Sequence, residues 1–114
     1  MELNSRSVAD GKITILEISG RIDAYEVKPV KEWLTEITKI SDPNILVNLS
    51  NVNFIDSTGL AALVQGMKHC RQRGGNLRLY GLQQPVQTIF ELTRLDMAFE
   101  IFVQEDEAIN AFVN

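Results

Sequence analysis

Cysteine is almost missing from this chain. Its 114 residues include one, Cys70, so no intrachain disulfide can form, which fits a reducing compartment. Histidine is as scarce, with only His69. One His and one Cys without ligand spacing give no metal site, and no C-x-x-C pair supports redox work. There is no glycine-rich phosphate loop of the G-x-x-x-x-G-K-[ST] type. Proline occurs only at Pro29, Pro43 and Pro85, and no linker, low-complexity segment or repeat is readable. No apolar run approaches the roughly 20 residues of a membrane helix. Met1–Asp10 has no apolar core for a signal peptide, so the expected location is the cytoplasm. Basic residues are too few for a nucleic-acid stripe: the formal net charge is −4. The densest cationic stretch, Lys68, His69, Arg71 and Arg73, falls at helical spacing and reads as a solvated helix end, which disfavours DNA or RNA as a partner.

What is present is an ordinary globular composition, 45% hydrophobic and 23% charged. A chain of 12.8 kDa folds to an exposed surface of roughly 6,300 Å², enough for one core. One domain over residues 1–114 is expected. Lys12–Ser19 is dense in β-branched residues and predicts a strand. Glu2–Val8 can pair with it through Ala9–Asp10–Gly11, since Asp-Gly favours a turn. Over Ala24–Ile40, Val27, Val30, Leu34 and Ile37 recur at helical spacing, with Trp33 just off the stripe. Ile45–Leu49 is a short buried strand, and Asn51–Asp56 reads as a loop. A helix from Ser57 follows, with Leu60, Leu63, Val64 and Met67 on its apolar face, stopped by Gly74–Gly75. Strands are predicted at Leu77–Tyr80 and Phe99–Val103, and helices at Gln84–Arg94 and Glu105–Phe112. The alternation argues for an α/β layer with a largely parallel sheet.

The informative stretch runs from Leu46 to Val64. A buried strand feeds a loop, and the loop feeds a helix that opens on Asp56-Ser57-Thr58-Gly59. Asp, Ser and Thr accept hydrogen bonds from the free N–H groups of a helix start, so capping alone accounts for their types. A second reading is compatible with the first. A hydroxyl at a helix N-terminus sits in a positive field, and a phosphate there adds about −1.5 to −2 charge that the helix tolerates. A partner docked on that spot with apolar or acidic groups would not. Ser57 could thus change binding without changing the fold.

The D-S-T-G-L run at Asp56–Leu60 resembles the anti-sigma factor antagonists, the stand-alone STAS-domain proteins of bacteria. So do the Asn53-Phe54-Ile55 approach, Gly20 with Asp23 in G-R-I-D, Gly74–Gly75 before Leu77, and the Gly81-to-Pro85 spacing. The resemblance covers nearly the whole chain. It implies a STAS-type fold, a small mixed sheet of four or five strands with about four helices packed mainly on one face. It makes Ser57 the phosphoacceptor, with Thr58 a second hydroxyl at a position that is often serine in the family. It also implies a switching cycle. The unphosphorylated antagonist binds an anti-sigma factor that is itself a serine/threonine kinase and frees the sigma factor. Phosphorylation dissolves the complex, and a metal-dependent serine phosphatase resets it. Candidate partner contacts are Asp23, Asp56, Thr58 and Gly59. For Asp23 a helix N-cap is an equally good account.

No catalytic residue is assigned. His69 cannot serve Ser57 as a base if both lie on one helix, because twelve residues span about 18 Å, and a base must come within about 3 Å. No cofactor or small-molecule substrate is expected, and the chain is not read as an enzyme. Two alternatives stay open. One is a STAS scaffold that binds partners without a kinase cycle. The other is a receiver-like domain with an aspartyl acceptor. The receiver needs acids at strand ends, whereas the predicted strands end in Ser19-Gly20 and Leu49-Ser50.

Overall fold

The computed structural model describes residues 1–113, so the last residue of the expected domain, Asn114, lies outside the described residues. The elements are β1 (Glu2–Val8), β2 (Ile13–Ile22), α1 (Lys28–Ile37), β3 (Asn44–Ile55), α2 (Ser57–Gln72), β4 (Asn76–Tyr80), α3 (Gln84–Leu92), β5 (Ile101–Phe102) and α4 (Glu105–Val113). A 3-10 turn, Leu95–Met97, joins α3 to β5. The sheet order follows the chain, β1-β2-β3-β4-β5. Only the β1–β2 pair is antiparallel. Each later strand is parallel to its neighbour and is reached through a helix, as parallel pairing requires. This is the mixed α/β STAS-type sheet that the resemblance implies.

The hairpin forms where Asp-Gly predicts it. Ala9, Asp10 and Gly11 take positive φ of 53°, 57° and 80°. Gly11 N–H donates to the Val8 carbonyl at 3.1 Å. Helices α1, α2 and α3 cover one face of the sheet, and Leu63 of α2 and Phe90 of α3 share a core with Leu16, Ile18, Val47 and Leu49 of the strands. α4 covers the other through Ala108, over Ile13, Ile15, Leu46 and Tyr80. Adjacent residues of β3, Leu46 and Val47, therefore belong to different cores, as period-2 alternation dictates. The exposed surface is 6153 Å², close to the value expected from mass. On α2 the stripe of Leu60, Leu63 and Met67 is buried and continues through Cys70, while Val64 is half-buried. Trp33 packs partly buried against the main core.

Several boundaries differ from expectation. Helix α1 begins at Lys28 rather than Ala24, with Pro29 in its first turn. The reason is Asp23, whose carboxylate holds the Tyr25 and Glu26 N–H groups in a turn before the helix. The residues read as a loop, Asn51–Asp56, extend β3 to Ile55. Strand β2 runs past Gly20 to Ile22. The pairing shifts register between Glu17 and Ser19 and again between Gly20 and Arg21. Asn48 and Asn51, then Val52 and Phe54, oppose those pairs, so β3 carries an extra residue at each step. Such bulges break the alternation on which a strand is recognised. β5 is reduced to Ile101–Phe102, and Phe99, predicted to lie in it, sits edge-on to Phe90 with ring centroids 5.7 Å apart. The cationic stretch does end a helix: Arg71 and Arg73 donate to the Ala98 and Lys39 carbonyls.

Candidate functional site

Parallel pairing brings the carboxyl ends of β2 and β3 together. Ile22 is opposite Ile55, so the segments after them, Asp23–Val27 and Asp56–Ser57, lie side by side. Asp56 N–H donates to the Ile22 carbonyl at 3.2 Å. Asp56 is the N-cap of α2 in extended conformation, and its Oδ1 accepts from Gly59 N–H at 3.0 Å. Its Oδ2 accepts from Ala24 N–H at 3.1 Å. One carboxylate thus caps α2 and ties its start to the β2–α1 loop. These N–H donors, Gly59 first and Ala24 among the rest, hold the Asp56 carboxyl below its ordinary pKa.

Asp23 shapes the neighbouring loop in the same way. Its Oδ1 accepts from the N–H groups of Tyr25 and Glu26, both at 3.1 Å. Its Oδ2 takes the Arg21 Nε–H at 3.2 Å. Gly59 is buried, and a Cβ there would meet the Ile22 carbonyl oxygen at 2.4 Å. Its absent side chain lets helix pack closely on strand. Thr58 is half-buried. Ser57, the first residue of α2, is exposed, and its hydroxyl has no hydrogen-bond partner among the described residues. The structure brings Asp23, Asp56, Ser57, Thr58 and Gly59 into one place.

The expectation that no acid stands at these strand ends needs correction. β2 and β3 end at Ile22 and Ile55, so Asp23 and Asp56 follow them directly. Both carboxylates are engaged by N–H donors that order the two loops. Among the described residues no cluster of three or more His, Cys, Asp or Glu could hold a metal ion. His69 lies on α2 with Ser57, near the opposite end, and its Nε2 is 2.8 Å from the Gln65 amide. Cys70 is buried, and desolvation pushes its thiol up to about 11.

Sequence reasoning missed the exposed side chains carried by the two strand ends and the loop after β2. Tyr25 is 95% exposed and Phe54 38%. The Arg21 guanidinium lies 4.0 Å from the centre of the Phe54 ring. The signal was present in part. Arg21 and Phe54 are register partners, but that pairing depends on the unforeseen bulges.

The STAS domain family model matches residues 5–108. A Listeria monocytogenes protein named anti-sigma-B factor antagonist is 38% identical over 91 residues, covering 79% of each chain. An anti-sigma factor antagonist from Mycobacterium paratuberculosis superposes with a TM-score of 0.85 at 20% identity, over 99% of this chain and 96% of its own. The Bacillus cell fate determinant SpoIIAA in its phosphorylated form gives a TM-score of 0.73 at 17% identity, over 96% of this chain and 98% of its own. No described helix is long and apolar enough to cross a membrane. The site geometry, the sheet and these likenesses agree: the chain belongs to the STAS domain family, alongside the anti-sigma factor antagonists.

Proposed function

We propose that this chain is the antagonist in a phosphorylation-controlled partner switch. Unphosphorylated, it binds an anti-sigma factor serine/threonine kinase and releases the sigma factor. Phosphorylation of Ser57 ends that binding, and a metal-dependent serine phosphatase restores it. The chain acts in the cytoplasm as a single domain over residues 1–114. It binds without turnover of its own and needs no cofactor, small-molecule substrate, nucleic acid or membrane. The observation that carries this reading is the state of Ser57: an exposed, unbonded hydroxyl on the first residue of a rigidly capped helix. The name of the Listeria relative supports the antagonist role. The phosphorylated form of SpoIIAA supports the modification. Asp56, Thr58 and Asp23 shape the surface on which the partner docks, and Gly59 lets it form.

The test is phosphorylation by the purified host kinase with ATP, read by mass spectrometry, and calorimetry of both forms against that kinase. Phosphate is expected on Ser57, and affinity should fall at least tenfold, about 1.4 kcal/mol. Because Asp56 is the cap, Ser57→Ala should shift stability by no more than about 0.5 kcal/mol and should still bind. Thr58→Ala should leave phosphorylation intact. Equal affinity of the two forms would refute the switch and leave a scaffold.

A further inference from the structure

The far edge of the sheet is unfinished. β5 is the last strand in the order β1-β2-β3-β4-β5 and is paired on one side only. Leu79 N–H donates to the Glu100 carbonyl at 3.1 Å, and Gly81 N–H to the Phe102 carbonyl at 3.0 Å. Those groups face β4, so strand alternation turns the N–H and C=O of Ile101 to the open side. An open edge is a template for another strand unless charge, proline or a covering loop blocks it. Here the residue after β5, Val103, is 78% exposed. Leu92, which ends α3, and Met97, in the 3-10 turn before β5, are exposed as well. A cleft of about 750 Å³ lies beside this edge, lined by Ile101, Phe102 and Val103 and by the side chains of Gln87, Glu91 and Asp96. Asp96 Oδ1 is enclosed and has no hydrogen-bond partner, alone among the enclosed side-chain oxygens and nitrogens of the described residues. An enclosed carboxylate oxygen in that state lacks a donor. Among the described residues, neither Glu91 nor Asp96 is ion-paired, with Arg94 or with any other cation.

We infer that the β5 edge is a docking site for an extended segment of another protein in which basic and apolar residues alternate. The backbone of that segment bonds to Ile101 N–H and C=O as a sixth strand. The alternation follows from the two cores of the domain. Ile101 packs against the core beneath α1, α2 and α3, and Phe102 against the core beneath α4. A strand laid beside them presents its successive side chains to the same two faces. On the first face, α3 and the turn after it carry Glu91 and Asp96, and these carboxylates call for Lys or Arg. On the second face the neighbour is Phe102, which calls for an apolar side chain. The inference uses no residue of the Ser57 site and stands apart from the switch reading.

The probe is a fluorescein-labelled peptide of about seven residues, alternating arginine and valine, with both ends blocked. Affinity is read by anisotropy, and amide exchange in the protein by NMR. The arginine peptide should bind at least about tenfold tighter than the same peptide with glutamate in place of arginine. Its binding should slow exchange of the Ile101 amide at least about tenfold. Proline in place of the central valine removes a backbone donor and should weaken binding by about tenfold or more. Glu91→Gln combined with Asp96→Asn keeps both side-chain shapes and should cut the preference for arginine to within about threefold. The peptide comparison on wild type needs no variant, so it decides even where the double variant melts early. No binding of the arginine peptide, equal binding of the two peptides, or a preference that survives in the double variant overturns the inference. So does binding that leaves Ile101 exchange unchanged, which shows only attraction of a cation to an acidic protein. Sedimentation of the protein alone tests the remaining occupant: a dimer that Val103→Arg dissolves makes a second copy the natural cover of this edge and overturns the inference.

Discussion

Two glycines of α2 should respond very differently to the same substitution. At Gly59 an added Cβ would lie 2.4 Å from the Ile22 carbonyl oxygen, 2.8 Å from Ile55 Cγ1 and 2.9 Å from Ile22 Cγ2. The nearest obstacle is backbone, so no rotamer change relieves it, and the overpacking cost should reach the upper end of the usual range, about 3 kcal/mol. Moving the helix start away also strains the Asp56 cap, worth about 1 kcal/mol. Helix propensity returns at most about 1 kcal/mol. Gly59→Ala should therefore lose about 3 kcal/mol, or about 10–15 °C in midpoint for a domain of this size. At Gly66 the neighbours are Leu34 Cδ1 at 2.9 Å and Leu34 Cδ2 and Leu77 Cδ1 at 3.3 Å. These are the ends of flexible side chains. A repacking cost of about 1 kcal/mol is offset by a propensity gain of about 1 kcal/mol, so Gly66→Ala should be nearly neutral. Urea denaturation of the two variants decides. Losses within about 1 kcal/mol of each other would refute the claim that the strand backbone, not crowding in general, requires glycine at residue 59.

Three further outcomes are expected. Asp56→Asn should be less stable than wild type at neutral pH, and the gap should close in acid. The folded carboxyl titrates below the ordinary aspartate value of 3.8, so its contribution is complete above that value and is lost as pH falls through the lower folded pKa; thermal midpoints from pH 7 to pH 2 check this. Cys70, buried with its thiol pushed up to about 11, should resist a thiol reagent at pH 8 in the native protein and react at once in urea; fast native labelling would place it outside the core. Phosphorylation of Ser57 by the host kinase should leave the unfolding free energy from urea denaturation within about 0.5 kcal/mol of the unmodified form, which hydrogen exchange at the Gly59 amide can confirm locally.

The fold was largely legible because most elements carry one clear period. α2 announces itself through Leu60, Leu63 and Met67, and all three are buried. The hairpin was legible because two of its turn residues, Asp10 and Gly11, are types that tolerate the left-handed conformation they adopt, although Ala9 adopts it too. The errors share a physical origin. Asn51–Ile55 lost its strand signature because bulges put extra residues into β3, so Asn53 and Phe54 are both exposed in sequence. Asp23 is not the helix N-cap that the sequence offered: Val27 holds that place without a side-chain cap, and the Asp23 carboxylate instead closes the turn that precedes α1. The site residues at Asp56–Gly59 were legible as a cap motif. Their link to Asp23–Tyr25 was not, because it depends on a hydrogen bond between residues 32 apart in the chain.

That hydrogen bond also explains how a chemical switch can sit on a rigid domain. A phosphate next to Asp56 would strain the fold if the aspartate were a loosely held surface charge, free to be repelled. Asp56 is instead held on both oxygens by backbone N–H groups, one in its own helix and one across the site. Asp23 is held by two amides and a guanidinium. Both carboxylates keep their charge, but each is tethered through both oxygens, so the cradle resists displacement when a charge is added beside it. What does respond is what the cradle leaves free: the Ser57 hydroxyl, the Tyr25 ring and the outer edge of the Arg21 guanidinium. Adding charge at Ser57 changes the surface presented to a partner and leaves the packing beneath it alone. Replacing Asp56 reverses that division, which is why its loss should appear in stability as well as in binding.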